Sequence, residues 1–379
     1  MKSSTSQVEP PWPLSEPAAL NPGPEQLELR DAIRALLGKH GGIEQARSAS
    51  HTAEGYSPDL WQQLIENMSV TSLAAPEDRG GLGYGMVELG IILEECGRSL
   101  ACEPVFSSAV LGAQALLAAT YPVDELLVNV LEGSSVASVS PLTAATDRLS
   151  GVESESSWLL SGEVSAVVGG AAADLVIVSA DTAAGRQIFA IKTAGQVHWR
   201  EREVVDPTRR QADLTVAEVP AVPVVGADDY ARVCTRIHEL RTLAIAFENT
   251  GIVDALLEMT VEYVKTRHQF GRPIGSFQAV KHRLADVLVL LERARSASRY
   301  AAAVYDEAPD TARLAIAVAG AVCTDAAIDA AAEAVQLHGG VGFTWEHPAH
   351  SYFRRALGNE AVQGDSRTHR ARIAELIGI

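Results

Sequence analysis

The spacing of apolar residues changes twice along this chain, and that double change limits the folds open to it. Over residues 24–121 the spacing is helical. "PEQLELRDAIRALLGKH" opens with Pro24 and acidic residues in its first turn, and apolar side chains then recur three and four residues apart. "SPDLWQQLIENM" sets Ser57 to cap a second helix, and "GMVELGIILEECGRSL" gives a third behind the tight glycine-rich turn "EDRGGLGYG". Near Pro122 short β-branched runs take over: "SSVASVS", "DLVIVSA", "QIFAIK" and "ADLTVAEV", divided by Gly, Ser, Asp and Pro. After Asp228 helical spacing returns, with Ile237, Leu240, Leu243, Phe247 and Gly251 on one stripe. It breaks at "RHQFGRPIGSF", restarts at Gln278 and ends in a third long segment near Leu337. Strands so short and so close exclude βαβ units and predict a small sandwich or barrel. The expected fold class is α+β: a helical domain over 24–121, a β domain over 122–227 and a second helical domain over 228–379, behind a flexible tail at 1–23.

Charge narrows the partners. A formal net charge of -17 over 379 residues argues against nucleic acid and anionic membrane, which select basic surfaces. Residues 314–335, "LAIAVAGAVCTDAAIDAAAEAV", could tempt a membrane assignment, but Asp325, Asp329 and Glu333 recur every four residues as an acidic stripe on an alanine-rich helix. The Pro- and Ser-rich tail lacks the apolar core of a signal peptide, and the four cysteines have neither metal-ligand nor disulfide-framework spacing. A reducing cytoplasmic setting and no metal site are expected. His268, His282, His338, His347 and His350 are scattered without paired ligand spacing and read as structural or solvent-facing.

Two motifs carry chemistry. "TRHQFGRPIGSFQAVKHRLADV" places Arg267, a forked donor suited to phosphate oxygens, at a helix end beside a glycine-relaxed backbone, with the Gln278 amide opening the next helix. "QLHGGVGFTWEHP" follows a helix with a glycine turn, which alone could be a plain helix cap. The first string resembles the Arg-x-x-Phe-Gly-x-Pro-Ile-x-x-Phe-Gln signature of the acyl-CoA dehydrogenase family, and the second is similar to that family's other C-terminal signature. The resemblance covers nearly the whole chain beyond the tail. It implies a helical N-terminal domain, a middle β-sandwich or barrel, and a C-terminal four-helix bundle. It also implies FAD lying across a subunit interface. Arg267, Gln269, Phe270, Phe277, Gln278, Gln336, Leu337, Gly339 and Gly340 would hold its adenine–pyrophosphate half, with the flavin ring in the neighbouring subunit.

The departures from the family pattern are as informative. Members hold their own flavin ring with a Thr-Glu-Pro-x-x-Gly-Ser-Asp segment, which here reads "SVSPLTAATD": only Pro141 survives clearly, Val139 and Ser140 replace Thr and Glu, and Ala144 and Ala145 replace Gly and Ser. A second ring-contacting segment, near Trp-Ile-Thr-Asn in the family, here reads Ala166-Val167-Val168-Gly169. Family chemistry removes a substrate α-proton with a carboxylate. Counting 27 residues on from Gln336, where many members keep it, reaches Gln363; counting 26 back from Arg267, the other location, reaches Arg241. Neither accepts a proton near neutrality.

Nearby carboxylates do not obviously replace the base. Glu248 stands about 10 Å further along the helix than Arg241, and Glu239 lies about 200° round it, on the other side. Glu360 is a weak stand-in if its segment is helical. The resemblance extends to a branch, found in actinobacterial steroid side-chain breakdown, whose members are heterotetramers of unlike subunits. There, one subunit with a degenerate site completes its partner's FAD site; "HSYFRRA" and "GDSRTHRARIAE" are similar to that branch's ending. The expectation is therefore a non-catalytic subunit of an acyl-CoA dehydrogenase, in a dimer or tetramer with a second such chain. Two alternatives stand beside it: a self-sufficient homotetramer with a relocated base, and a flavin-free acyl-CoA-binding scaffold.

Overall fold

A computed structural model describes residue 17 and residues 20–154, 157–195, 197–344 and 347–379. Most of the tail at 1–23 and the Trp345-Glu346 part of the second signature fall outside the described residues. The N-terminal portion holds α1 (Pro24–Lys39), α2 (Gly42–Ala49), α3 (Pro58–Met68), α4 (Met86–Ser99), a π-helical stretch Val105–Gly112 running into α5 (Ala113–Leu117), and α6 (Asp124–Leu131). Ser57 caps α3 by accepting the Leu60 N–H at 3.2 Å. Residues after Pro122 therefore form a helix before the first strand begins.

The middle portion is a closed barrel. Its strands are β1 (Ala137–Val139), β2 (Asp147–Glu153), β3 (Trp158–Val168), β4 (Leu175–Thr182), β5 (Gly185–Lys192), β6 (His198–Glu201) and β7 (Gln211–Val225). The order β4-β2-β3-β7-β5 returns to β4 through the antiparallel β4–β5 hairpin, with β1 on β4 and β6 on β7. Between the two architectures expected, closure selects the barrel and removes the sheet edges. Alternation fills it: Leu149, Leu160, Val164, Val178, Phe189, Ile191 and Leu214 point inward and form a core of their own.

The C-terminal portion is built on α7 (Ala227–Thr266), the short hairpin β8 (His268–Gln269) and β9 (Arg272–Pro273), α8 (Gln278–Glu307), α9 (Arg313–His338), α10 (Ala349–Gln363) and α11 (Ser366–Ile377). Three long helices thus carry the bundle, with α10 and α11 laid against α9. By length and composition alone, Arg313–Phe343 could cross a membrane, but 67% of its apolar window is buried inside the protein. Its acidic stripe meets arginines instead: Asp325 pairs with Arg370, and Glu333 with Arg283 at 3.1 Å.

Two devices fix how the three portions meet. Helices α4 and α7 cross with no side chains between them at Gly97 and Gly251: a Cβ at Gly251 would strike the Glu94 carbonyl, and one at Gly97 the Glu248 carbonyl. Arg355 of α10 is buried between the barrel and the helices. Its Nε donates to Asp206 at 2.5 Å, and Nη2 lies within 3.3 Å of the carbonyls of Leu100, Ala101 and Thr208.

Candidate functional site

Between the barrel, α7, α9 and the α10–α11 junction lies a cavity of about 690 Å³. The loop after β1 supplies Val139, Pro141, Thr143 and Thr146, and the end of β3 supplies Ala166 and Val168. From the helices come His238, Glu239, Arg241, Arg313, Gln363 and His369, among others. The structure therefore brings Arg241 and Gln363, far apart in sequence, into the lining of one cavity, together with residues of both segments that depart from the family's ring-contacting pattern.

The polar groups around this cavity are largely engaged with one another. Arg241 donates from Nη2 to the Ser140 carbonyl at 2.9 Å and from Nη1 to the Pro141 carbonyl at 3.5 Å. His238 Nε2 donates to the same Pro141 carbonyl at 2.6 Å. The Ser140 hydroxyl donates to Asp147, which also accepts from the Ser179 N–H at 2.9 Å. Thr143 and Thr146 bond each other at 2.8 Å. Burial holds the Arg241 guanidinium down at about 10, still a cation at neutral pH, and holds the Asp147 carboxyl above its usual value despite those donors. Burial also lowers His238 and His369.

The carboxylates weighed from sequence divide three ways. Glu248 is buried in an ion pair with Arg209 and lines a separate space of about 70 Å³. Glu360 lies on α10 but is not among the residues lining the large cavity, whereas Ala361, Val362 and Gln363 are. Glu239 corrects the helical-wheel argument. The cavity takes a broad arc of α7, so Glu239 lines it along with Arg241, and Arg313 engages it at 3.5 Å. Burial, partly offset by Arg313, raises its carboxyl.

A second site lies on the outer surface, where both sequence signatures meet. Gln269, Phe270, Phe277, Gln336 and Leu337 line one pocket of about 330 Å³, with Arg283 at its side. Phe270 is 90% exposed with φ +52 and sits edge-on to Phe277 at 6.0 Å, while Arg272 stacks over Phe277 at 4.0 Å. Arg267 is exposed, and its side chain makes no hydrogen bond or ion pair among the described residues. Gln278 is exposed too and meets His282 at 3.2 Å. Gly339 (φ +63) and Gly340 carry no neighbour within 4 Å of a notional Cβ, so a ligand could approach the turn's backbone. His338 is structural: its Nδ1 donates to the Ala334 carbonyl at 2.7 Å and its ring stacks on Tyr263 at 4.3 Å. No cluster of metal-binding side chains occurs among the described residues.

Measured against the groups of FAD, the two sites differ. Arg267, Gln278, Gly339 and Gly340 lie outside the lining of the 330 Å³ pocket, on the same signatures that supply Gln269, Phe270, Phe277, Gln336 and Leu337 to it; an unpaired guanidinium, an exposed amide and an open glycine turn suit an adenine and a pyrophosphate. The interior cavity offers a flavin ring apolar Ala166 and Val168 and a loop whose carbonyls already accept from Arg241 and His238.

Residues 23–125 match the acyl-CoA dehydrogenase N-terminal domain, and residues 231–378 the C-terminal domain. The chain is 34% identical over 347 residues to acyl-CoA dehydrogenase IpdE2 of Mycobacterium tuberculosis, covering 90% of this chain and 93% of that protein. It is 32% identical over 340 residues to acyl-CoA dehydrogenase FadE27 of the same organism, covering 85% and 88%. Among solved structures it is similar to a chain of the ChsE4–ChsE5 complex from M. tuberculosis, with a TM-score of 0.85 and 28% identity over 95% of this chain and 98% of that one. These are oxidoreductases with the helix–barrel–helix architecture described above. The chain belongs to the acyl-CoA dehydrogenase family, whose members are FAD-dependent.

Proposed function

We propose that this chain is the accessory subunit of a heteromeric acyl-CoA dehydrogenase, in the cytoplasm, lending its surface pocket to an FAD whose ring lies in a partner chain. The observation that carries this reading is Arg241, which occupies a usual base position and ties down the carbonyls of Ser140 and Pro141. When bound, FAD supplies the acceptor for the hydride leaving an acyl-CoA β-carbon. In the proposed complex Arg267 neutralises pyrophosphate charge, Gln269 and Gln278 offer amide hydrogen bonds, and Phe270 and Phe277 supply flat apolar contact. Gly339 and Gly340 let backbone N–H groups come close. The partner brings the carboxylate that accepts the α-proton, a contribution worth roughly 10²- to 10⁴-fold in rate. Similarity to a chain of the ChsE4–ChsE5 complex supports a second dehydrogenase-like subunit.

Flavin absorbance tests the proposal. Expressed alone, the chain should be colourless; co-expressed with a second dehydrogenase-like chain, the complex should be yellow with fewer flavins than chains. One tightly bound flavin per chain in the protein purified alone would overturn the reading and favour a self-sufficient enzyme.

A further inference from the structure

The interior cavity keeps polar chemistry that a role in trans does not use. Arg241 is 8% exposed, yet no carboxylate pairs with it among the described residues. A guanidinium has five N–H donors. Two reach carbonyls of the β1 loop, which leaves three without a protein acceptor. Removing a cation from water costs several kcal/mol unless an anion or a full set of acceptors compensates. His369 is 6% exposed, and its Nε2 has no partner among the described residues. Gln363 is in a similar state: Nε2 donates to Thr324 Oγ1 at 2.9 Å, and buried Oε1 has none. All three side chains line the same cavity.

Arg313 pairs with Glu239 and Arg372 with Glu375, whereas Arg241 has only the attraction of the nearby Asp147 and no ion pair among the described residues, in a chain of net charge -17. Phe106, Leu111, Val139, Ile316, Ala317 and Val362 make the remaining wall apolar. We propose that this cavity binds a small apolar carboxylate, its anionic head held by the free donors of Arg241 and its tail against that wall. The fork of a guanidinium matches the two oxygens of a carboxylate, whereas a bare phosphate would leave the apolar wall uncovered. No bond is made or broken; the pocket that does not suit a flavin ring serves as a binding site. The inference concerns the chain by itself and is independent of whether it completes a flavin site in a partner.

Calorimetric titration of the full chain with sodium octanoate, octanamide and inorganic phosphate tests this directly. Octanoate should bind saturably at one site per chain, octanamide at least tenfold more weakly, and phosphate should not compete. Arg241→Met should abolish the preference for the carboxylate. Equal binding of octanoate and octanamide, no saturable octanoate binding, or a preference retained in Arg241→Met would each overturn the proposal. Should Arg241→Met fail to fold, the octanoate-to-octanamide ratio of the unaltered chain still decides it.

Discussion

Replacing Arg267 by alanine separates a binding role from a folding role, because the two predict opposite readouts. The Arg267 side chain is exposed and makes no hydrogen bond or ion pair among the described residues, while its backbone carbonyl, untouched by the change, accepts from the Ile274 N–H at 2.8 Å. Stability should therefore move by no more than about 0.5 kcal/mol, as for surface positions free of structural duties. If the guanidinium holds a pyrophosphate, one charge-assisted hydrogen bond is lost, about 1.5–3 kcal/mol. At 1.4 kcal/mol per tenfold, that is roughly a ten- to 150-fold rise in the FAD dissociation constant. The assay is flavin retention by the two-chain complex on dialysis, followed by absorbance, beside thermal unfolding of the same sample. Gly340→Val is the companion change: nothing lies within 4 Å of its Cβ, so the fold should tolerate it while the ligand's approach to the turn is blocked. Undiminished flavin in both variants would refute the assignment of Arg267 and the glycine turn to FAD, and so would a large fall in melting temperature for Arg267→Ala.

Three further outcomes follow from the same geometry. Gln363→Glu should not make the isolated chain a dehydrogenase, because the loop carbonyls beside Arg241 remain engaged; acyl-CoA-dependent dye reduction above background would contradict this. Gly251→Ala should lower unfolding free energy by at least about 2 kcal/mol, since the added methyl meets the Glu94 backbone and the helices must part; an unchanged urea midpoint would show that α4 can give way. Burial holds His238, His338 and His369 below their ordinary value of 6.5, and His347 at about 4. Their contribution to stability is complete above pH 6.5 and is lost as pH falls toward the lowered values, so melting temperature should drop between pH 7 and pH 5. A flat profile there would show that these rings are not held below their ordinary value.

What the sequence made legible was the part written in local rules. The capping serine at Ser57, the start of α1 at Pro24 and the break between Thr266 and Gln278 rest on caps, prolines and glycines, which act within a few residues. The barrel's closure did not show, because it depends on β4 meeting both β2 and β5, a pairing no periodicity encodes. The π-helical stretch Val105–Gly112 is buried all round and so has no amphipathic pattern to read, and α6 follows a proline that looked like a boundary. Arg241 and Gln363 could be located by counting, but not the hydrogen bonds from Arg241 to the Ser140 and Pro141 carbonyls. Glu239 was misjudged because a helical wheel assumes a narrow contact face, while this cavity spans a wide arc of α7.

Arg355 has a kinetic meaning as well as a structural one. One buried side chain is shared by α10, the segment after α4 and the barrel loop at Asp206 and Thr208, so none of these can swing away without stranding a charge in the interior. A hinge between barrel and helices is thereby closed off as a route of exchange. The barrel and the helices should come apart only together, in one unfolding step.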